Sequence, residues 1–288
     1  MKPSGSTKIV RLIGYPVEHS KSPLMHNAAF QSLGLDFVYN LFSVKPSDLK
    51  EAITGLRAPN VAGANVTIPY KEEVMKYLDE ISPEAEFIGA VNTIHNRQGR
   101  LGGYNTDGQG FITSLLTEGR IKLEGQKALL LGAGGAGKAV AVKLTERGVE
   151  RLAITDKIAA KGEDLVGRLR ENIPDCPVYA VAMSSKEFAE TVFESTLLVN
   201  ATPVGMKEGD PCVIDPEYLH KDLFIYDVIY NRETPLVAEA KKRGLKALGG
   251  IGMLIYQGAA SFEIWTGQRA PVEVMRKKIL EELSSASI

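Results

Sequence analysis

A glycine-rich turn directly follows an apolar run near the middle of the chain. The run is Ala128-Leu-Leu-Leu131, the turn is Gly132-Ala-Gly-Gly-Ala-Gly137, and apolar residues then continue as in a helix. In a strand–turn–helix unit the first glycine permits a tight turn, and the second lets the backbone approach a pyrophosphate. The third glycine lets the helix pack close to the strand, and the positive end of the helix faces the phosphates. A glycine turn alone is weak evidence, but this setting predicts a Rossmann unit that binds a dinucleotide.

An acidic residue at the end of the next predicted strand strengthens this prediction. Rossmann units carry such a residue about 20 positions after the glycine turn, where it accepts hydrogen bonds from the ribose hydroxyls. The run Leu152-Ala-Ile-Thr-Asp156 supplies it. We therefore expect NAD or NADP as the cofactor, with Asp156 at the ribose.

The composition argues against several classes of function. Of the 288 residues, 44% are hydrophobic and 24% are charged, and the net charge is −1, which leaves no basic surface for nucleic acid or for a membrane. No apolar run approaches the roughly 20 residues that span a bilayer, and the first residues lack the apolar core of a signal peptide. Cys176 and Cys212 stand alone, and the four histidines lack the spacing of a metal site. We therefore expect a cytoplasmic protein without a metal centre.

Strand and helix patterns alternate along the chain, which predicts an α/β protein. A chain of this length is expected to form two domains. We predict an N-terminal α/β substrate-binding domain, residues 1–106 plus 252–288, and a Rossmann dinucleotide-binding domain, residues 107–251. The C-terminal helices lack a strand partner in a Rossmann sheet and are expected to return to the first domain. Strands are predicted at 10–13, 37–42, 62–67, 152–155, 178–181, 196–200 and 224–228, and helices from Ser22 (as cap), Leu49, Pro69, Thr106 and Thr234.

Seven motifs follow one another in a distinctive order and spacing. They are His19-Ser-Lys-Ser-Pro23, Ala64-Asn-Val-Thr-Ile-Pro-Tyr-Lys71, Gly89-Ala-Val-Asn-Thr93, Tyr104-Asn-Thr-Asp-Gly108, Gly132-Ala-Gly-Gly-Ala136, Asn200-Ala-Thr-Pro-Val-Gly-Met206, and Gly250-Ile-Gly-Met-Leu254 with Gln257. In these motifs the chain resembles the shikimate dehydrogenase family, from about Leu12 to the last helix. The resemblance implies an NAD(P)-dependent oxidoreductase that interconverts shikimate and 3-dehydroshikimate in aromatic amino-acid biosynthesis, the chorismate pathway.

The resemblance also implies roles for individual residues. It places Lys71 and Asp107 together over the reacting hydroxyl, where a group must take the proton. It places Ser20 and Ser22 at the substrate carboxylate, an anion that the start of a helix favours. The other substrate-binding residues would be Thr67, Asn92, Tyr230 and Gln257, and the cofactor-binding residues Gly132, Ala133, Gly134, Gly135, Ala136, Asp156, Lys157, Thr202, Met206, Val228 and Gly250.

From the residues alone, plainer interpretations stand beside these roles. Lys71 could be a solvated lysine in the run Lys-Glu-Glu, and Asp107 an ordinary helix cap. Ser22 could cap its helix while Ser20 alone binds the carboxylate. Asn65 could be a ligand or a structural residue, and we assign it no role.

The segment expected at the ribose departs from the family pattern. NADP-specific members carry Asn-Arg-Thr there, whereas this chain has Asp156-Lys-Ile-Ala-Ala-Lys161. Asp156 can accept both ribose hydroxyls of NAD but would face the 2′-phosphate of NADP. At about 4 Å, each pair of like charges repels by roughly 1 kcal/mol in water and about 4 kcal/mol at an effective dielectric constant of about 20. Lys157 and Lys161 could offset part of this, without the planar fork of arginine. We expect NAD, with NADP as the alternative.

Three other functions stay open as alternatives. One is an NAD-dependent quinate/shikimate dehydrogenase of quinate catabolism. A second is a methylene-tetrahydrofolate dehydrogenase, which the paired Ser20 and Ser22 argue against. A third is a metabolite sensor without chemistry, which intact Lys71 and Asp107 argue against. The expected partner is shikimate or 3-dehydroshikimate, with no nucleic acid and no membrane, and a homodimer is one expected assembly.

Overall fold

The computed structural model of the chain describes residues 4–173 and 177–285. Its contacts form two compact units: the first takes the described chain up to Thr106 and from Ile255 onward, and the second takes Asp107–Leu254. The strands are β1 (Lys8–Gly14), β2 (Phe37–Ser43), β3 (Val61–Val66), β4 (Glu80–Ile81), β5 (Thr93–Arg97), β6 (Arg100–Tyr104), β7 (Lys127–Leu131), β8 (Arg151–Thr155), β9 (Val178–Ala180), β10 (Leu197–Asn200), β11 (Phe224–Asp227) and β12 (Ala247–Leu248). The α-helices are α1 (Ser22–Ser32), α2 (Leu49–Gly55), α3 (Pro83–Ile88), α4 (Asp107–Thr117), α5 (Gly135–Glu146), α6 (Ala159–Asn172), α7 (Lys186–Glu194), α8 (Pro235–Lys242), α9 (Ile251–Thr266) and α10 (Val272–Ser285).

The first unit is built on a mixed sheet with the strand order β2-β1-β3-β5-β6-β4. Strand β1 pairs in parallel with β2 and β3, whereas β5 runs antiparallel to both β3 and β6. Strands β5 and β6 form a tight hairpin because their two-residue turn, Gln98 and Gly99, has positive φ at both positions (55° and 91°). Such a turn matches the twist of the flanking strands. The sequence analysis did not predict this hairpin.

The C-terminal helices return to the first unit. Helix α10 packs against α1, where Lys21 Nζ lies 2.9 Å from Glu282 Oε1. Helix α9 begins in the second unit and ends in the first. The predicted return of these helices is therefore confirmed.

The second unit has a parallel sheet with the strand order β12-β11-β10-β7-β8-β9. From β7 the chain adds β8 and β9 on one side, and then β10, β11 and β12 on the other, which is the Rossmann order. The order reverses between β7 and β10, whose last residues Leu131 and Asn200 are paired. In open parallel sheets, ligands bind outside the carboxyl ends of the strands at this reversal. The predicted Rossmann fold is confirmed.

The segment after β3 differs from the prediction of a helix from Pro69. The chain forms a turn there and then a 3₁₀ helix at Glu73–Tyr77. An α-helix would need the Lys71 carbonyl for the N–H group four residues further along, but that carbonyl accepts the Val91 N–H at 2.7 Å. Tyr70 is buried and donates its hydroxyl to the Val44 carbonyl, directly after β2, at 2.5 Å. These two contacts hold the segment out of a helix.

The start of α1 also differs from the prediction. Ser22 is the first residue of the helix, and Lys21 rather than Ser22 occupies the N-cap position. The hydroxyl that serves the helix start is that of Ser20, whose Oγ accepts the Ser22 N–H at 3.3 Å. At α8, by contrast, the predicted cap is confirmed, because Thr234 Oγ1 accepts the Val237 N–H at 3.3 Å.

Within residues 4–173 and 177–285, none of the helices combines the length and the apolarity that a membrane span requires. The same residues contain no group of three His, Cys, Asp or Glu side chains placed to hold a metal ion. Cys176 lies outside the described residues. Cys212 is a half-buried free thiol, and burial raises its pKa.

His26 lies in the core of the first unit. Its ring is fully buried and stacks on Tyr39 with the ring centroids 4.5 Å apart, and the Trp265 ring lies at 5.3 Å. Among the described residues, neither ring nitrogen of His26 has a hydrogen-bond partner. Burial lowers the pKa of His26 from 6.5 to about 3, so the folded protein holds this ring neutral.

We expect His26 to make the free energy of unfolding depend on pH. Its pKa is lower in the folded protein than in the unfolded chain, so the unfolded chain binds the extra proton and stability falls as the pH drops below the ordinary histidine value. Between about pH 7 and about pH 5 this amounts to a loss of roughly 2 kcal/mol. Urea unfolding of the wild type and of His26→Phe at both pH values checks this. Between the two pH values, the free energy of unfolding should fall less in His26→Phe than in the wild type, by about 2 kcal/mol. Equal losses in the two proteins would contradict a neutral His26.

Candidate active site

The glycine turn forms the start of α5 with the geometry that a dinucleotide needs. Gly132 has φ +99°, which favours glycine, and its N–H donates to the Thr155 carbonyl at 2.7 Å. A Cβ on Gly137 would strike the Gly132 carbonyl, so glycine here allows α5 to pack close to β7. A Cβ on Gly134 would meet no other atom of the described chain within 4 Å, which leaves space above the N-terminus of α5. Each glycine has the property predicted for its position in the motif.

Asp156 lies at the carboxyl end of β8 and is bound to the glycine turn. Its Oδ2 accepts the Ala133 N–H at 2.8 Å, and its Oδ1 accepts the Ile158 N–H at 2.9 Å. A carboxylate oxygen can accept more than one hydrogen bond, so each oxygen keeps capacity for a ribose hydroxyl. Lys157 and Lys161 are exposed beyond it. This edge of the second unit therefore has a carboxylate held by two backbone N–H groups and two exposed lysines near it in the sequence.

Four other residues predicted to bind the cofactor lie in the segments that directly follow β10, β11 and β12. Thr202 Oγ1 donates to Asn200 Oδ1 at 2.7 Å, and the Val228 N–H donates to the Asn200 carbonyl at 3.0 Å. A Cβ on Gly250 would strike the Val228 carbonyl, so only glycine fits at that position. Met206, in the same loop as Thr202, is 39% exposed. The cofactor residues predicted in the second unit thus lie along one edge of its sheet.

Backbone hydrogen bonds place Thr67, Lys71 and Asn92 next to one another in the first unit. The Val66 N–H donates to the Asn92 carbonyl at 2.8 Å, and the Val91 N–H donates to the Lys71 carbonyl at 2.7 Å. The Thr67 N–H donates to the Ile13 carbonyl, near the end of β1, at 2.9 Å. The segment that carries Lys71 is thereby fixed against the segment that carries Asn92.

The Asn92 side chain is held by its neighbours in a defined orientation. Its Nδ2 donates to Thr106 Oγ1 at 2.9 Å, and its Oδ1 accepts the Thr106 N–H at 2.8 Å. Gln257 Oε1, from α9, lies 3.4 Å from Asn92 Nδ2. Asn92 and Gln257, both predicted to bind substrate, are therefore brought together by the structure.

Behind Asn92 lies a buried polar network that the sequence analysis did not assign. Asn65 Nδ2 donates to the Asn92 carbonyl at 3.0 Å and to Thr93 Oγ1 and Ser261 Oγ at 3.1 Å each. Asn65 Oδ1 accepts the Tyr39 hydroxyl at 2.9 Å. The Asn65 amide, to which we assigned no role from the sequence, is therefore hydrogen-bonded within the protein. Asn65 acts as a structural support for Asn92.

The remaining predicted site residues are placed as follows. Ser20 and Ser22 lie side by side at the start of α1, joined by the bond from the Ser22 N–H to Ser20 Oγ. Asp107 is the first residue of α4 and directly follows Thr106. Tyr230 is half-buried and lies three residues after the end of β11. The first unit brings together Thr67, Lys71, Asn92 and Gln257, and the second holds the glycine turn, Asp156, Thr202, Val228 and Gly250 on one sheet edge, with Asp107 and Tyr230 also in that unit.

Comparison with known proteins identifies the family. The model of the shikimate dehydrogenase substrate binding domain matches residues 12–94, and that of the shikimate 5′-dehydrogenase C-terminal domain matches residues 250–280. A shikimate dehydrogenase (NADP(+)) of Methanopyrus kandleri is 45% identical over 280 residues, which is 96% of either chain. The chain belongs to the shikimate dehydrogenase family.

Solved structures of shikimate dehydrogenases share the complete fold. A crystal structure of a shikimate dehydrogenase in complex with NADP⁺ has a TM-score of 0.90 at 41% identity, with 98% of each chain covered. Shikimate 5-dehydrogenase from Listeria monocytogenes, in complex with shikimate and NAD, has a TM-score of 0.87 at 38% identity and covers 97% of this chain and 98% of its own. The family likeness therefore extends over both units and over every segment that carries a candidate site residue.

Proposed function

We propose that this protein is a shikimate dehydrogenase that interconverts shikimate and 3-dehydroshikimate with a nicotinamide dinucleotide, and that it prefers NAD. The observation that carries the proposed reaction is the likeness to shikimate dehydrogenases over 96% of the chain. The proposed preference for NAD rests on Asp156 instead, since that relative is named an NADP(+) enzyme. Two local features support it: the fixed pair of segments that carry Lys71 and Asn92, and the glycine turn with Asp156.

The second unit fits the dinucleotide. Gly134 leaves open space for a pyrophosphate, Gly132 and Gly137 shape the turn beneath it, and the N-terminus of α5 supplies partial positive charge there. Thr202, Val228 and Gly250 would line the nicotinamide side. When bound, the nicotinamide ring supplies the two-electron oxidation or reduction of the carbinol carbon.

The first unit supplies the groups for a polyhydroxylated acid. The Ser20 and Ser22 hydroxyls would donate to the substrate carboxylate, and the N-terminus of α1, an 11-residue helix, favours that anion. Hydroxyl donors avoid burying a fixed positive charge when the site is empty. Thr67, Asn92 and Gln257 would hold the ring hydroxyls, and the resemblance to the family also implies that Tyr230 binds substrate. Hydrogen bonds to Thr106 already hold the Asn92 side chain in a defined orientation.

Lys71 would carry the proton of the reacting hydroxyl. Oxidation of the alcohol releases a proton, and reduction of the ketone consumes one, so a group must take and return it at the substrate oxygen. The Lys71 carbonyl is fixed by the Val91 N–H, which limits where the side chain can reach. Asp107, the first residue of α4, is the second residue to which the resemblance gives a role at the reacting hydroxyl.

The experiment that tests the proposal is a set of initial rates on shikimate and on quinate, each with NAD and with NADP. Turnover of shikimate separates this function from that of a methylene-tetrahydrofolate dehydrogenase and from that of a metabolite sensor. Ligand binding without turnover would favour the sensor. A homodimer also stays a prediction, which sedimentation of the purified protein would check.

We expect kcat/KM for shikimate to exceed that for quinate by at least roughly tenfold, or about 1.4 kcal/mol of transition-state binding. The chain keeps the Ser20, Ser22 and Thr67 pattern of shikimate enzymes and shows no change that would enlarge the site for the additional hydroxyl of quinate. The same initial rates measure this ratio. Equal efficiency on the two acids would favour the quinate/shikimate dehydrogenase alternative.

A further inference from the structure

Asp227 is a buried acidic residue that is not among the proposed catalytic, substrate-binding or cofactor-binding residues. It ends β11, its side chain is fully buried, and its register partner on β10 is Asn200. Both residues lie at the carboxyl ends of their strands, at the same sheet edge as the glycine turn that follows β7. A carboxylate is costly to bury, so its presence here calls for a compensating arrangement of donors.

Three donors from three segments meet the Asp227 carboxylate. Oδ2 accepts from Thr234 Oγ1 at 2.7 Å and from Asn200 Nδ2 at 3.1 Å, and Oδ1 accepts the Ile229 N–H at 3.0 Å. Burial raises the pKa of Asp227, while the bonds from Thr234, Ile229 and Asn200 lower it. The donor set matches a carboxylate, which accepts at both oxygens and donates at neither.

Each donor fixes a segment that carries a proposed cofactor residue or supports one. Asn200 uses its Oδ1 to accept the N–H and the hydroxyl of Thr202, and its Nδ2 also reaches the Val204 carbonyl at 3.3 Å. The Ile229 N–H belongs to the segment between Val228 and Tyr230. Thr234 is the N-cap of α8. The loop after β10 and the segment after β11 are therefore tied to one carboxylate.

We propose that Asp227 is a positioning residue for the dinucleotide: it holds the loop after β10 and the segment after β11 so that Thr202 and Val228 meet the nicotinamide half. This inference rests on the proposed function only in taking a nicotinamide dinucleotide as the ligand of this edge. Asp227 does not touch the cofactor itself. It acts through Asn200 and through the backbone at Ile229.

Asparagine cannot replace Asp227, although it has the same shape. With its oxygen toward Ile229, its amide hydrogens face the Asn200 amide, which is also a donor. With its oxygen toward Asn200 and Thr234, its amide hydrogens face the Ile229 N–H. Either orientation sets a donor against a donor, and a buried donor left without an acceptor is destabilising. The change therefore loosens one segment without creating a cavity.

The test is the affinity for NADH and NADPH in the absence of substrate, measured by nicotinamide fluorescence on the full chain. The proteins are the wild type, Asp227→Asn, Asn200→Ala, the double variant, and Asp215→Asn as a matched control. Asp215 also accepts an N–H two residues further along, that of Glu217 at 2.9 Å, but it is exposed at a 3₁₀ helix. Thermal unfolding is followed in parallel.

For the dinucleotide that the wild type binds more tightly, we expect Kd to rise about tenfold, roughly 1.4 kcal/mol, in Asp227→Asn and in Asn200→Ala. The double variant should show less than the sum, because the two residues share a hydrogen bond. Asp215→Asn should stay within about twofold of the wild type. If Asp227→Asn has a lower Tm but the same Kd as the wild type, the inference is overturned. Asp227 would then be a stabilising residue only.

Asn200→Ala decides the question should Asp227→Asn fail to fold, since an unchanged Kd in Asn200→Ala would overturn the inference by itself. Failure of the proposed function has a different signature. A wild-type protein that binds NADH, shows the expected Kd pattern and does not oxidise shikimate would overturn the proposed substrate and support the role of Asp227.

Discussion

The Lys71→Ala enzyme is expected to lose a factor of about 10²–10⁴ in kcat, the usual contribution of a positioned acid or base. The KM for shikimate should change much less, because the carboxylate and ring hydroxyls would be bound by other residues. Lys71 lies in a turn fixed by its own carbonyl, so truncating the side chain leaves that hydrogen bond to Val91 intact. Steady-state rates with shikimate as the varied substrate measure both parameters.

Lys76→Ala is the matched control, because Lys76 is an exposed lysine in the 3₁₀ helix that follows the same turn. We expect its kcat to equal that of the wild type. Asp107→Ala should be about as damaging as Lys71→Ala, and the double variant less than additive, since residues that act as a unit are not additive. Retention of more than about a tenth of the wild-type kcat by Lys71→Ala would remove Lys71 from the proton transfer.

The Rossmann unit was predictable because its signals are local. The glycine turn follows an apolar run directly, and the acidic residue ends the next strand, so a short stretch of sequence contains the whole pattern. The structure adds the reasons for two of the glycines, Gly132 at positive φ and Gly137 against the Gly132 carbonyl. A prediction from local patterns of this kind holds in the folded protein because the contacts that enforce the pattern are also local.

One difference arose where a distant segment overrides local preference, and two arose from local signals that were weak or ambiguous. Pro69 and the residues after it have the pattern of a helix start. However, the N–H of Val91, a residue far along the chain, donates to the Lys71 carbonyl that such a helix would use. The hairpin of β5 and β6 has Gln98-Gly99 at its turn, a weaker signal than Asn-Gly or Asp-Gly. Ser22 was a reasonable cap from its position, yet the hydroxyl that accepts the helix N–H is that of Ser20.

The candidate site divides in the same way. Motif residues such as Lys71 and Asn92 could be named from the sequence, whereas their supports could not. Asn65 was left undecided, and only the structure shows its amide between Asn92 and Ser261, which lie far apart in the sequence. Asp227 gave one usable signal, an acidic residue directly behind the apolar run Leu223–Tyr226. Such a position marks the carboxyl end of a buried strand, the edge at which open parallel sheets bind their ligands.

The preference for NAD is the second large effect that we expect. The wild type should use NAD with a kcat/KM about tenfold or more above that for NADP, because Asp156 would face a 2′-phosphate with like charge. The compared structures contain NADP⁺ in one case and NAD in the other, so membership in the family does not decide the matter. The Asp156 carboxylate does not swing freely, since its two oxygens accept the Ala133 and Ile158 N–H groups. Its charge therefore stays beside the glycine turn.

Asp156→Asn combined with Lys157→Arg should shift the NAD-to-NADP ratio of kcat/KM toward NADP by about 100-fold, since it removes the repulsion and adds a bidentate phosphate donor. Part of the shift will come from a lower kcat/KM with NAD. Asparagine has a single acceptor oxygen, whereas the Asp156 carboxylate accepts from two backbone N–H groups. Asp164→Asn, on the exposed face of α6, makes the same change of charge away from the turn and should leave the ratio unchanged. A wild-type enzyme that prefers NADP by about tenfold or more would contradict the prediction and make Lys157 and Lys161 the residues that bind the phosphate.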